Sequence, residues 1–330
     1  MQTALANNRQ ARRKIHIRPN LTIMKGTIAD LKFVRYGDMI VPIIMGKERK
    51  RIINSIVPQG LNQYVNYLVT VSNNARSGNV TVSGWNSSPG NSILLLNNGS
   101  AVQTLTPTVI PVLNGSTVIW VFIANDLSSA SYTANQVNLF VSVNYVTSSG
   151  SGGISYSPAF NLATATTSIV KQSGETISFI WEIQLNLGSS ALTNFILGIL
   201  YSIPTVSTSC GSSTVTLGTF GGAYSIQYGS PYFFYNITLQ YAGGSASSPN
   251  ISSITTSYDG TNTYLVMSAS VSLSSQVVAT SVIVNVAAKY DLCVNGQTAN
   301  GGPIIQVPYS ATVPSGTVNI TVTIEFSPAT

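Results

Sequence analysis

The stretch Thr176-Ile177-Ser178-Phe179-Ile180-Trp181-Glu182-Ile183-Gln184-Leu185-Asn186-Leu187 decides the fold class. Ile177, Phe179, Trp181, Ile183, Leu185 and Leu187 fall on one side of an extended chain. Ser178, Ile180, Glu182, Gln184 and Asn186 fall on the other. A period of two sustained this long specifies a β-strand, because a helix returns to the same face only every ~3.6 residues. The same alternation recurs between Thr317 and Phe326, where Val318, Ile320, Val322, Ile324 and Phe326 form the apolar phase. It recurs again in Val137, Leu139, Val141, Val143 and Tyr145. One apolar and one polar face mark antiparallel sheets with a solvated side. Val118–Ile123 and Val282–Val286 are apolar in both phases and are expected under a second layer.

Between these runs lie turn signals: Ser77-Gly78, Pro89-Gly90, Asn98-Gly99, Asn114-Gly115, Asp259-Gly260, Asn295-Gly296 and Pro314-Ser315-Gly316. Ser and Thr make up about a quarter of the 330 residues, and Lys and Glu are scarce beyond residue 51. Such a composition suits strands and turns more than helix surfaces. The reading is all-β, with two antiparallel sandwiches, jelly-roll-like or immunoglobulin-like. The Gly/Ser-rich stretch Thr147–Gly153 is the expected linker. The expected boundaries are a basic N-terminal arm and anchoring segment at 1–58, a first sandwich at 59–148 and a second, larger one at 149–330; Ile23, Ile28, Leu31, Phe33, Val34 and Ile40–Met45 are expected to anchor the segment against the first domain or a neighbouring subunit.

Positive charge is concentrated in the arm. Twelve of the fifteen Lys and Arg residues lie within the first fifty-one positions, opposed there by Asp30, Asp38 and Glu48. From Ser77 onward, Lys171 and Lys289 face six acids. With so few carboxylates to protonate, the body changes its net charge little in acid. The candidate polyanion- or partner-binding residues are Arg9, Arg12, Arg13, Lys14, Arg18, Lys47, Arg49, Lys50 and Arg51. Clusters of this kind hold phosphates or anionic headgroups without reading sequence. Pairing with acids on another chain is the competing use. Only Phe33 and Tyr36 interleave with these bases as aromatics, which disfavours stacking on single strands.

The inventory argues against catalysis. The single histidine, His16, lies in the arm, which leaves the body no imidazole base. No Cys/His cluster suggests a metal, no Gly-rich loop ends in Lys-Ser/Thr, and no cofactor is expected. Asp126, Glu175, Glu182, Asp259, Asp291 and Glu325 are the body's carboxylates and read as solvated or structural. Cys210 and Cys293 are candidates for a disulfide, with two buried thiols as the alternative. Of the Asn-x-Ser/Thr triplets, Asn86, Asn98 and Asn114 lie near turns where a glycan could be attached. Neither an apolar run of spanning length nor an export signal is visible; Phe195–Ile203 is short enough to be one buried strand.

Taken together, the basic arm and the two Ser/Thr/Val-rich sandwiches resemble viral capsid proteins of the jelly-roll type. The ion-poor body, with segments such as Tyr232-Phe233-Phe234-Tyr235-Asn236-Ile237-Thr238-Leu239-Gln240-Tyr241, resembles structural proteins of viruses of hyperthermophilic acidophilic archaea. The resemblance implies a virion subunit, whether shell, penton or turret, made in the host cytoplasm. Its partners would be copies of itself and other virion proteins, with DNA or an anionic membrane met by the arm. No small-molecule substrate is implied. Two alternatives stay open: an extracellular filament or adhesin subunit that donates the Val318–Phe326 strand, and a carbohydrate-binding surface protein using Trp85, Trp120 and Trp181.

Overall fold

The computed structural model describes residues 8–36, 39–74, 79–83, 90–114, 117–142, 144–148, 154–156, 158–186, 207–210, 213–216, 224–226, 234–286, 290–293, 297–299 and 303–329. They form an all-β chain of several, mainly antiparallel sheets, with one α-helix, Pro58–Asn74. The largest sheet has eight strands. Its order runs Ser253–Tyr258, Thr263–Leu273, Gly316–Pro328, Asn8–Gly26, Thr176–Asn186, Thr117–Asp126 and Thr108–Asn114, with Glu48–Ile52 also beside Asn8–Gly26.

The leading strand, Asn8–Gly26, is therefore the centre of the fold. Residues 1–58 were expected to form a basic arm and anchoring segment; from Asn8 to Gly26 the chain is a strand within the long sheet. Its second half pairs antiparallel with Thr176–Asn186, from His16 opposite Asn186 to Gly26 opposite Thr176. Its first half runs parallel to the closing strand Gly316–Pro328, from Asn8 opposite Asn319 to Ile17 opposite Pro328. The sequence supports this directly: Ala11, Ile15, Ile17, Leu21 and Ile23 recur at odd positions and all are buried. Pro19 is tolerated because it falls in a gap along one edge. The ladder to the closing strand ends at Ile17, and the ladder to Glu48–Ile52 starts at Leu21. A missing N–H there breaks no ladder. The Asn54 amide fills the gap, donating to Pro19 O at 2.9 Å and accepting from Leu21 N and Trp181 Nε1 at 3.0 Å.

A second sheet of five strands runs Asn54–Ile56, Ala159–Lys171, Tyr132–Ser142, Ser92–Asn97 and Ser100–Leu105. A third, of four, runs Gly244–Ser247, Phe234–Tyr241, Val277–Val286 and Pro303–Val313. Both contribute to one apolar cluster with the long sheet: Ile93, Leu95, Val137 and Leu139 with Phe122, Phe179 and Trp181, and Ile237, Leu239, Val282 and Val284 with Met267, Val271, Ile320 and Val322. Pairing also ignores the expected break at residue 148. Thr117–Asp126 pairs with Thr176–Asn186, and Tyr132–Ser142 pairs with Ala159–Lys171. The expected linker is flanked by two strands, Asn144–Ser148 and Ile154–Tyr156, that pair with each other.

The helix was not expected, since residues 59–148 read as a first sandwich. Its signal is Pro58 at the first helical position followed by Leu61, Tyr64 and Val65, all three buried. Gly60 lets the helix lie directly on the five-stranded sheet, because a Cβ there would sit 1.8 Å from Asn161 O. Among the described residues, no helix is long and apolar enough to cross a membrane.

Of the stretches apolar on both faces, Trp120–Ile123 does lie between layers. Trp120 and Phe122 point into the main core, while Val121 and Ile123 are buried on the other face, with Ile180. A hairpin of Leu31–Tyr36 and Met39–Ile44 covers that outer patch with Val34, Tyr36, Val41 and Ile43. Ile180, the one apolar residue in the polar phase of its strand, is thereby explained.

Candidate functional site

Because the leading strand alternates without interruption, its even positions all emerge on the face opposite the core. Gln10, Arg12, Lys14, His16 and Arg18 are exposed there, followed by Asn20, Thr22 and Met24, the last reaching under the hairpin. The neighbouring strand Glu48–Ile52 sets Arg51 opposite Thr22 and Arg49 opposite Met24, which adds two bases to the same face. Sequence clusters separated by some thirty residues thus become one basic strip down the middle of a sheet.

Not every expected base joins it. Arg13 alternates to the other face, and so does Lys50, whose Nζ donates to Thr167 Oγ1 at 3.3 Å. Lys47 follows the hairpin near Asp30. Arg9 is placed in the ladder opposite Ile320, with its side chain outside the described residues.

Two carboxylates punctuate the strip, and their roles were not readable from sequence. Glu325 is 5% exposed. Arg12 donates to its Oε2, Lys14 Nζ lies 3.0 Å from its Oε1, and Ser327 Oγ donates to Oε1 at 2.9 Å. Burial pushes the Glu325 carboxyl up, but the bonds from Lys14, Ser327 and Arg12 outweigh it and hold the group below its ordinary value. The Arg12 guanidinium also lies 5.5 Å from the Tyr264 ring centre. Further along, Asn20 donates to Glu182 at 2.6 Å and accepts from Arg51 Nε at 2.8 Å. Arg18 and Arg49 make no hydrogen bond or ion pair among the described residues. The strip can therefore present charge at fixed spacing, partly neutralised at Arg12 and Lys14 and open at Arg18 and Arg49.

The hairpin adjoins the strip. Its Tyr36 hydroxyl is raised above the ordinary phenol value, first by burial and then by Glu182, with Arg49 opposing. On the hairpin's outward side Phe33 pairs with Pro42 and Arg35 with Ile40. Phe33 and Ile40 are 73% and 62% exposed. An apolar edge beside the bases was not anticipated, although these residues were expected to anchor the segment.

A separate buried cluster joins the long and five-stranded sheets. Lys171 and Asp126 are each 1% exposed. Lys171 Nζ donates to Ser128 O at 2.5 Å and Ala130 O at 2.8 Å, and lies 3.9 Å from Asp126 Oδ1. Asp126 Oδ1 accepts from Ser128 N at 3.0 Å and Ser128 Oγ at 2.6 Å. Burial raises the Asp126 carboxyl, and the Ser128 bonds, Tyr132 and Lys171 together bring it below its ordinary value. Burial and that carboxylate drive the Tyr132 hydroxyl far upward. The ammonium donates to two backbone carbonyls and faces the carboxylate, so the cluster fastens the turn at Ser128–Ala130.

The remaining candidates are quickly placed. Asn98 sits in an exposed turn with φ 49°, as Asn-Gly implied, and its Oδ1 accepts from Asn135 Nδ2 at 2.7 Å. Asn86, and the side chains of Asn114, Cys210 and Cys293, lie outside the described residues. No group of three or more His, Cys, Asp or Glu able to hold a metal occurs among the described residues. Neither a protein-family model nor a curated protein sequence matches the chain.

Proposed function

We propose that this chain is a self-assembling structural subunit of the virion type, built from two β-sandwiches that share the long sheet. In this reading it lays the basic strip of that sheet on a polyanionic surface while other faces contact copies of itself and further virion proteins. The observation that carries it is the convergence of Arg12, Lys14, His16, Arg18, Arg49 and Arg51 on one sheet face. A mobile arm loses conformational freedom when it binds, whereas bases held on a strand are already in place. Burying the leading strand fixes the charge without spending all of it, since Arg18 and Arg49 stay open.

The two alternatives draw no support. The strand Val318–Phe326 is hydrogen-bonded along both edges, to Thr263–Leu273 and to the leading strand, so donating it would dismantle the sheet. Trp120 and Trp181 are fully buried and cannot contribute to a sugar platform, and Trp85 lies outside the described residues.

Electron microscopy and sedimentation of the purified chain, with and without duplex DNA, test the proposal. Closed shells, rings or sheets that form with polyanion and dissolve in salt are expected. Monodisperse monomers under all conditions, or filaments indifferent to salt, contradict it.

A further inference from the structure

Five of the ten exposed large apolar side chains in the described structure fall within residues 28–45: Ile28, Phe33, Met39, Ile40 and Met45. Their concentration on one hairpin and its base is not what a solvated surface needs. The same segment and the strand after it carry Lys32, Arg35, Lys47, Arg49, Lys50 and Arg51 against Asp30, Asp38 and Glu48. Apolar residues at the outward edge with bases around them match an interface whose outer layer is anionic and whose interior is hydrocarbon.

A second copy of the chain fits this patch less well. Beyond the segment itself, the described carboxylates are already engaged: Glu325 with Arg12 and Lys14, Glu175 with Lys25, Glu182 with Asn20, Asp126 with Ser128 and Asp259 with Thr261, Asn262 and Tyr264. Among the described residues no three of them gather into an acidic group that could receive the bases. Nucleic acid would satisfy the bases and leave Phe33 and Ile40 in water.

We infer that the polyanionic surface is an anionic lipid leaflet, and that the Leu31–Ile44 hairpin inserts Phe33 and Ile40 among the acyl chains while Arg35, Arg49 and Arg18 contact headgroups. This inference rests on the basic-strip reading above. The hairpin is suited to the task because its inner side, Val34, Tyr36, Val41 and Ile43, is fastened to the sheet. Insertion therefore requires no refolding.

The test uses the full chain with vesicles of phosphatidylcholine alone and with about one-third phosphatidylglycerol, and separately with duplex DNA. Wild type is expected to sediment with the anionic vesicles only, and Phe33→Trp to shift its emission to the blue on binding them. The Phe33→Ser, Ile40→Ser double variant changes two exposed positions. It is expected to lose vesicle affinity by about tenfold or more while DNA affinity stays unchanged. Unchanged vesicle binding by the double variant overturns the inference. So does a loss of self-association in that variant, which would assign the patch to a second copy. Salt-dependent binding to DNA without any to vesicles overturns the lipid assignment and leaves the basic-strip reading intact. Binding to neither overturns both.

Discussion

Lys171→Met keeps the aliphatic stem of a fully buried side chain and removes its ammonium. The group lost donates to Ser128 O at 2.5 Å and Ala130 O at 2.8 Å and faces Asp126 Oδ1 at 3.9 Å. Hydrogen bonds from a charged donor contribute ~1.5–3 kcal/mol each, so two represent a gross loss of ~3–6 kcal/mol. The ammonium's own desolvation penalty disappears with it. Removing one partner of a buried pair nevertheless leaves the other uncompensated, and a net destabilisation of ~3–5 kcal/mol is expected. Asp126→Asn keeps an oxygen for the Ser128 bonds and discards the charge, so the double variant should lose ~1–3 kcal/mol less than the sum of the singles. Equilibrium urea unfolding followed by the emission of the buried Trp120 and Trp181 measures all three. A Lys171→Met variant within ~0.5 kcal/mol of wild type, or singles that add, would refute the reasoning.

Glu325→Gln should flatten the acid limb of stability. The folded carboxyl lies below its reference of 4.5, so the unfolded chain binds more protons between the two values. Its contribution is complete above that reference and is lost as pH falls through the folded value; Tm profiles that run parallel for variant and wild type would contradict this. Ile43→Ala, at a position 1% exposed between hairpin and sheet, should cost ~2–5 kcal/mol of hairpin docking, seen as faster amide exchange confined to residues 31–44. Gly60→Ala raises intrinsic helix propensity by ~1 kcal/mol yet should destabilise, because its Cβ would meet Asn161 O; a gain in Tm would show that the helix is not seated there.

Strand placement was readable where one face is apolar and the other polar with few charges, as at Thr176–Asn186, Val318–Phe326 and Val137–Val141. It failed at the leading strand for a physical reason. Arg12, Lys14, His16 and Arg18 occupy the outward positions, and their charge density hid the inward series Ala11, Ile15, Ile17, Leu21 and Ile23. The break at 148 failed because alternation locates strands without choosing their partners. Loop composition cannot reveal that residues 117–126 pair with residues 176–186. The bases of the candidate site were readable as residue types. Their convergence was not, since it depends on Arg51 pairing opposite Thr22 across a long connection. Glu325 could be recognised as polar but not as buried, because what covers it comes from the other end of the chain.

Amide hydrogen exchange across residues 8–26 tests the placement of the basic strip most directly. With the leading strand at the centre of the long sheet, these amides should be as protected as those of residues 176–186 and should open only with global unfolding. Exchange of residues 8–26 at unprotected rates, while 176–186 stay protected, would return the bases to a flexible arm and remove the fixed face.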